Sequence, residues 1–390
     1  MDTNLDTICR GATKIIGRKL LEKKLAEGKT LKVKHGVDPT APDIHLGYAV
    51  IYTVLRRFQD AGNIVQLLIG DFTGRTGDPT DKDIARDRKA LSDLKTHEKT
   101  MVEQLTTILS KESLEVPHNS DWWDKMTLEE FLGVLRKVSA TQLWQREMFK
   151  KRVAEEKPVW TDEFLYPVLQ GYDSVMLESD VTVIGSDQEF NEQMGRHYQE
   201  AYGQEPQALV IMPLLVGTDG TQKMSQSVGN YIGISDAPED MFGKVMSMPD
   251  SNIEPYFTLL TNEGMSKVAE MLKNDNPRDV KMRLASALVS RFHSNDAAKK
   301  AQENFVATFQ NKETPEEMEE LSIGVEKISA IDLLIKAKFA TSNSDGRRTI
   351  EQGGMKFDGN VVEDSAAELE IPENGAVLQK GKRFFKKVIR

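Results

Sequence analysis

Two apolar runs separated by one amphipathic stretch constrain this chain more than any other feature. "LKVKHGV" (31–37) and "NIVQLLIGDF" (63–72) are rich in valine, leucine and isoleucine, as buried strands are. Between them, Leu46 to Asp60 places apolar residues at helical spacing, and Gly62 breaks the pattern. Strand, glycine-bearing loop, helix and strand within about 40 residues make a βαβ unit, which requires a parallel sheet. "VTVIG" (181–185) and "ALVIMPLLV" (208–216) supply further buried strands. The expected fold class is therefore α/β, a doubly wound parallel sheet over residues 30–232, with ligands gathered at the carboxyl ends of its strands.

The flanks read differently. Residues 5–27 carry apolar positions at mostly helical spacing before Gly28 and predict a first helix. From "DAPEDMFGKVMSM" to about Gln310 the periodicity is helical, and the acidic, proline-bearing "NKETPEEMEELSIG" (311–324) suits a linker. After it, "ISAIDLLIKAKF" and "SDGRRTIEQGG" predict two helices, and "MKFDGNVVED" a hairpin turning at Asp358-Gly359, which together make a compact αββ module. The expected domains are 1–232, 233–318 and 319–390.

At 390 residues, 39% hydrophobic and 29% charged, the chain can bury two or three cores. No apolar run approaches the roughly 20 residues of a membrane-spanning helix, and the N-terminus lacks a signal-peptide core, so a cytoplasmic protein without membrane partners is expected. The single cysteine, Cys9, excludes an intramolecular disulfide and a cysteine zinc cage. The net charge of −10 conceals an asymmetry: residues 330–390 hold eleven basic against nine acidic side chains, net +2, which leaves net −12 for the rest. The ending "QKGKRFFKKVIR" sets basic residues around two aromatics, as an RNA-facing strand would, although a basic tail with no specific role has the same composition.

Three stretches carry polar chemistry. In "TAPDIHLGYAV" a loop enters a helix near His45, where backbone N–H groups and the helix dipole favour an anion; Gly47 lets a nucleotide approach, and His45 and Thr40 can donate to a phosphate. In "DGTQKMSQSVGN" Lys223 stands in a glycine- and serine-rich loop within reach of a triphosphate, or simply in solvent. In "EFLYPVLQGYD", Tyr166, Gln170 and Asp173 fall at i, i+4 and i+7, so a helix presents a hydroxyl, an amide and a carboxylate on one face.

"PTAPDIHLGY" and "KMSQS" resemble the two signatures of class I aminoacyl-tRNA synthetases, usually written HIGH and KMSKS. "LIGDFTGRTGDPT", "EFLYPVLQGYDSV", "GSDQEFN" and "GNYIGI" are similar, in order, to blocks of bacterial tyrosyl-tRNA synthetases of the longer-chain subtype, and the C-terminal module resembles their S4-like RNA-binding domain. The resemblance runs from about residue 30 to the end. It implies a Rossmann-like catalytic domain, L-tyrosine, ATP with Mg2+ and tRNA(Tyr) as ligands, no dedicated protein-held metal, and a homodimer.

Residue by residue, the resemblance implies that Tyr166, Gln170 and Asp78 bind the ammonium of tyrosine and Asp173 its hydroxyl, with Asp38 and Gln188 also on the substrate. It assigns Gly47, Tyr48, Gly185, Asp187, Lys223 and Met224 to ATP, with Asp187 on the ribose. Thr40, His45, Lys82, Arg86, Lys223 and Gln226 then serve catalysis, and Arg347, Arg348, Lys356, Lys382 and Arg383 the tRNA. Two positions depart from the pattern: Tyr48 replaces the second histidine of HIGH, and Gln226 the second lysine of KMSKS. Tyrosine keeps a donor, whereas Gln226 removes a charge. Two other readings therefore stand beside the ligase: a paralogue with weakened chemistry that binds RNA, and an adenylating enzyme with another acceptor.

Overall fold

The structure is a computed structural model that describes residues 4–39, 44–76, 91–310, 318–381 and 384–390. It divides into two compact units, residues 1–294 and 295–390.

The first unit is built on a six-stranded sheet of β1 (Lys14–Ile16), β2 (Lys32–Val37), β3 (Ile64–Ile69), β4 (Leu114–Glu115), β5 (Val181–Gly185) and β6 (Ala208–Met212), in the order β1-β6-β5-β2-β3-β4. All neighbours pair in parallel except β1, which runs antiparallel to β6 at the edge. The chain leaves β2 toward β3 and β4, then returns to place β5 on the opposite side of β2. Strand order therefore reverses between β2 and β5, where a doubly wound sheet opens a crevice for ligands.

The helices of this unit are α1 (Leu5–Ile8), α2 (Arg18–Ala26), α3 (Leu46–Asp60), α4 (Thr73–Thr76), α5 (Leu91–Leu105), α6 (Ser120–Trp123), α7 (Leu128–Leu135), α8 (Ala140–Leu143), α9 (Glu147–Ala154), α10 (Thr161–Leu177), α11 (Glu189–Ala201), α12 (Pro238–Ser247), α13 (Ile253–Leu260), α14 (Met265–Asn274) and α15 (Pro277–Phe292). Among the described residues, none is long and apolar enough to cross a membrane. The pair that positions the site is α10 and α11. A Cβ on Gly171 would stand 2.9 Å from Tyr198 and 3.0 Å from Met194, and one on Gly195 would stand 2.6 Å from the Ser174 hydroxyl. Only glycine at both positions lets the two helices approach so closely.

The sequence reading of one helix over 5–27 is corrected. Thr13 donates from its backbone to Ile211, and Lys14–Ile16 complete the sheet edge, with Ile16 packed on Ile184, Leu209 and Ile211. The β-branched Thr13, Ile15 and Ile16 favour a strand where an open edge offers partners. The run 208–216 stops as a strand at Met212, because Pro213 has no N–H for the ladder.

The second unit holds α16 (Asn295–Gln310), α17 (Ala330–Lys336) and α18 (Asn343–Glu351) with β7 (Glu320–Ser322), β8 (Lys327–Ser329), β9 (Met355–Phe357), β10 (Asn360–Val361), β11 (Glu368–Glu370), β12 (Ala376–Lys380) and β13 (Phe384–Ile389). Five strands form one sheet, β10-β9-β12-β13-β7, and β8 pairs with β11. Leu333, Leu334, Ile350, Met355, Leu378 and Val388 fill its core. The hairpin turns as expected at Asp358-Gly359, both at positive φ (48° and 81°), the geometry of a tight two-residue connection. The unit is richer in strands than the αββ expectation, and part of the expected linker is β7, paired in parallel with β13.

Candidate active site

Helix α10 delivers its polar face as the spacing requires. Tyr166 and Asp173 are buried, and Gln170 is half-buried between them. The Tyr166 hydroxyl donates to Asp38 Oδ2 (2.8 Å), just beyond the carboxyl end of β2. Asp38 Oδ1 accepts from the Thr73 hydroxyl (2.7 Å) and lies so close to Gly70 that a Cβ there would stand 2.0 Å away. Any side chain at position 70 would dislodge this carboxylate.

Asp173 is held from three directions. Its Oδ1 accepts from the indole N–H groups of Trp122 (2.9 Å) and Trp123 (2.8 Å), and its Oδ2 accepts from Asn119 Nδ2 (3.2 Å). Burial pushes its carboxyl up to about 7, opposed by the charge of Lys34 and by these donors. Asn119 also donates to Thr73 Oγ1 (3.0 Å) and accepts from the backbone of Phe72 (2.9 Å). A continuous chain of hydrogen bonds thus joins Asp173, Asn119, Thr73, Asp38 and Tyr166.

Gln170 is oriented from below. Its Nε2 donates to Glu192 Oε1 (2.8 Å), and its Oε1 accepts from Asn191 Nδ2 (3.0 Å), which also donates to Gln188 Oε1 (2.9 Å). Glu192 pairs with Lys34 (2.9 Å); both side chains are almost fully buried, and Ser174 and Gln207 supply the remaining contacts. A buried pair of this kind holds its geometry only while its hydrogen bonds are satisfied.

On the other side of the crevice, His45 caps α3. Its Nδ1 accepts from the Gly47 backbone (3.1 Å), and burial lowers the ring's pKa to about 4. The neutral ring with Nδ1 as acceptor carries its proton on Nε2, which is the donor that a phosphate needs. Gly47 is obligatory here: a Cβ would sit 2.8 Å from His45 Cε1 and 3.6 Å from the Cβ of Met224. The exposed Tyr48 ring lies 4.5 Å from that of His45.

The loop of Lys223 and Gln226 reaches this corner through backbone pairing. Leu46 donates to Ile232 and Ile234 to Ile44, while His45 bridges Gly233. Asn230 ties the loop's root: its Nδ2 donates to Asp219 Oδ2 (2.8 Å) and the Lys223 carbonyl (3.1 Å), and its Oδ1 accepts from Ser225 (2.8 Å). Lys223 is exposed and Gln226 half-buried. At the end of β5, Gly185 leaves room for Asp187, whose Oδ1 would be 2.7 Å from a Cβ. Thr40, Asp78, Lys82 and Arg86 lie outside the described residues, as do Lys382 and Arg383.

The profile of class I tRNA synthetases of the W and Y type matches residues 26–310. A tyrosine–tRNA ligase of Moorella thermoacetica is 44% identical over 370 residues, covering 94% of this chain and 89% of that protein. One of Methylococcus capsulatus is 41% identical over 394 residues, covering 100% and 99%. The chain belongs to the tyrosine–tRNA ligase family. The fold agrees: a truncated mitochondrial tyrosyl-tRNA synthetase of Aspergillus nidulans, 23% identical, superposes with a TM-score of 0.65 over 77% of this chain and 92% of that one.

Within this ligase family fold, several site residues escaped the sequence reading. Asn119, Trp122, Trp123 and Thr73 bond to the carboxylates, Lys34 and Glu192 set the base of the pocket, and Asn230 shapes the signature loop. The adjacent tryptophans in "SDWWDK" were the available signal, since indoles rarely cluster without a polar partner for each N–H.

The Gly47 geometry yields a direct test. Gly47→Ala forces the His45 ring off its cap and narrows the corner, so adenylate formation should fall at least roughly a hundredfold, the scale of losing an oriented donor. Single-turnover adenylate formation measures this, and a rate within about threefold of the parent would refute the assignment.

Proposed function

We propose that this chain is a tyrosine–tRNA ligase in which the described crevice activates L-tyrosine with ATP and transfers it to tRNA(Tyr). The tyrosine carboxylate attacks the α-phosphate of ATP, pyrophosphate leaves, and a terminal ribose hydroxyl of the tRNA then takes the tyrosyl group from AMP. Neither step uses a protein nucleophile, so the residues act by positioning and charge.

The observation that carries this reading is Asp173. A carboxylate has about four acceptor positions, and three are filled by Trp122, Trp123 and Asn119. The remaining position suits the hydroxyl of tyrosine; phenylalanine would leave a buried charge short of a partner. Tyr166, Gln170 and Asp38 then gather toward the ammonium, with Asp78 joining them. His45 and Lys223 serve the phosphates, and Asp187 the ribose. Magnesium enters with the triphosphate as part of the substrate.

Tyrosine-dependent exchange of labelled pyrophosphate into ATP, with phenylalanine as control, tests the reading. Exchange with tyrosine alone is expected, and Asp173→Ala should abolish most of it without a matching gain for phenylalanine. No exchange with either amino acid would favour an RNA-binding role instead.

For the tRNA we favour α18, where Arg347 and Arg348 are exposed and only Arg348 meets a nearby acid, Asp345 (3.3 Å). Among the described residues of the C-terminal module, several basic side chains are already engaged or partly covered. Lys386 and Lys387 pair with Glu319 and Glu320 (both 2.9 Å), Lys380 bonds to the Phe339 carbonyl, and Lys356 is half-buried. Replacing Arg347 and Arg348 by alanine should raise KM for tRNA, flatten its salt dependence by about one unit per lost phosphate contact, and leave pyrophosphate exchange unchanged. An unchanged KM would move the contact elsewhere.

The homodimer is supported by apolar residues left to solvent: Leu128 and Leu132, one turn apart on α7, are 73% and 53% exposed. A second copy covering this face would bury them. Sedimentation should show a dimer that Leu132→Asp converts to monomer; a parent monomer at micromolar concentration would exclude it. Synthesis of aminoacyl-tRNA also supports a cytoplasmic location.

A further inference from the structure

We propose that Glu192 is a positioning residue for the zwitterionic end of the substrate. Paired with Lys34, it fixes the direction of a chain of three amides, Gln170, Asn191 and Gln188, so that Gln170 meets the ligand with its oxygen and Gln188 with its N–H. This rests on the reading of the two glutamines as contacts to the amino acid.

The neighbours of the Glu192 carboxylate carry the argument, because each of them is a donor. Lys34 Nζ lies 3.0 Å from Oε1 and 2.9 Å from Oε2, Gln207 Nε2 donates to Oε2 (2.9 Å), and Gln170 Nε2 donates to Oε1 (2.8 Å). A carboxylate only accepts, so Gln170 must turn its nitrogen toward Glu192. Its oxygen then faces Asn191, whose Nδ2 donates to it at 3.0 Å and to Gln188 Oε1 at 2.9 Å. Turning Gln170 over would set oxygen against carboxylate and N–H against N–H. Both Asn191 and Glu192 are shut off from water, so neither conflict could be relieved by solvent.

Asn191 passes this direction on. Among the described residues its buried Oδ1 has no hydrogen-bond partner, so nothing at that end of the amide sets its orientation. The orientation is inherited from Gln170, and through it from Glu192. Asn191 spends its N–H groups on the two glutamine oxygens, which makes the nitrogen of Gln188 the end turned away from it. The root of the chain is anchored in turn: Ser174 Oγ accepts from Lys34 (2.7 Å) and Gln207 (3.1 Å), and Gln207 Oε1 accepts from Ser179 (2.6 Å). An amino acid brings a cation and an anion to one place, and an amide has an end for each. The two glutamines are chemically identical, and only the direction of the chain assigns oxygen to the ammonium and N–H to the carboxylate.

The experiment is tyrosine-dependent pyrophosphate exchange by the full-length enzyme, read as KM for L-tyrosine and as inhibition constants for two analogues. Tyramine lacks the carboxylate, and 3-(4-hydroxyphenyl)propionate lacks the ammonium. In Glu192→Gln the new amide keeps its oxygen for Lys34 and Gln207 and turns its N–H on Gln170, which reverses the chain. Each analogue should then bind roughly tenfold more weakly, as one lost charge-assisted hydrogen bond requires, and tyrosine, which loses two, roughly a hundredfold. Asn191→Leu releases Gln188 alone, so tyrosine and the propionate should weaken roughly tenfold while tyramine is unchanged. Should the unpaired Lys34 keep Glu192→Gln from folding, Lys34→Met combined with Glu192→Gln leaves no buried charge and carries the same expectation. Equal weakening of all three ligands assigns Glu192 and Asn191 to packing and overturns the proposal, as do unchanged constants. A parent that binds both analogues as tightly as tyrosine would instead overturn the reading of the glutamines as substrate contacts, and a parent without exchange the functional reading itself.

Discussion

A charged group deprived of water must find all its partners in the protein, and this constraint at Asp173 organises the pocket around it. The carboxylate draws Asn119 from the loop after β4, two indoles from α6 and the field of Lys34 from β2 onto one point of α10. Three separate stretches of chain are fixed relative to one another by the needs of a single side chain. Through Asn119 and Thr73 the same requirement extends to Asp38 and Tyr166, so both ends of the polar face of α10 share one hydrogen-bond path.

Helix α10 bears this load because it can lie against α11 at glycine distance. Gly171 and Gly195 remove the side chains that would separate the helices; Tyr198 and Met194 fill the space at the first, and Ser174 and Gln207, which bond to the Lys34–Glu192 pair, fill it at the second. Such an ion pair adds little net stability after desolvation. Its contribution is directional: Glu192 takes the amide hydrogen of Gln170 and so determines which way that amide presents its oxygen.

Much of this was legible in the residues, and the boundary is physical. The strands β2, β3 and β5 appear as apolar runs because both faces of a parallel sheet are covered, and α3 appears through its period. The Tyr166, Gln170 and Asp173 face is readable for the same reason, since helical spacing is local. Partnerships across the chain are not local. Lys34 meets Glu192 at a separation of 158 residues and Asn119 meets Asp173 at 54, and no period encodes either. Strand β1 was read as helix because its stability comes from β6, far along the chain. The acids that pair with Lys386 and Lys387 were not legible for a related reason: Glu319 and Glu320 come from a segment whose composition suits a linker.

The tether at Asn230 has a consequence for motion. With Lys223 and Ser225 bound at the root, and Gly229 folded back on Ser225 and Gln226, the signature loop has few residues left to swing. Closing a flexible loop loses conformational entropy that grows with the logarithm of its free length, about 0.6 kcal/mol for each doubling. A segment pinned in this way would surrender little disorder on meeting the triphosphate of the proposed reaction. Gln226 rides on that short turn, its carbonyl held by the Gly229 N–H, so the neutral side chain at this position starts from a tethered backbone.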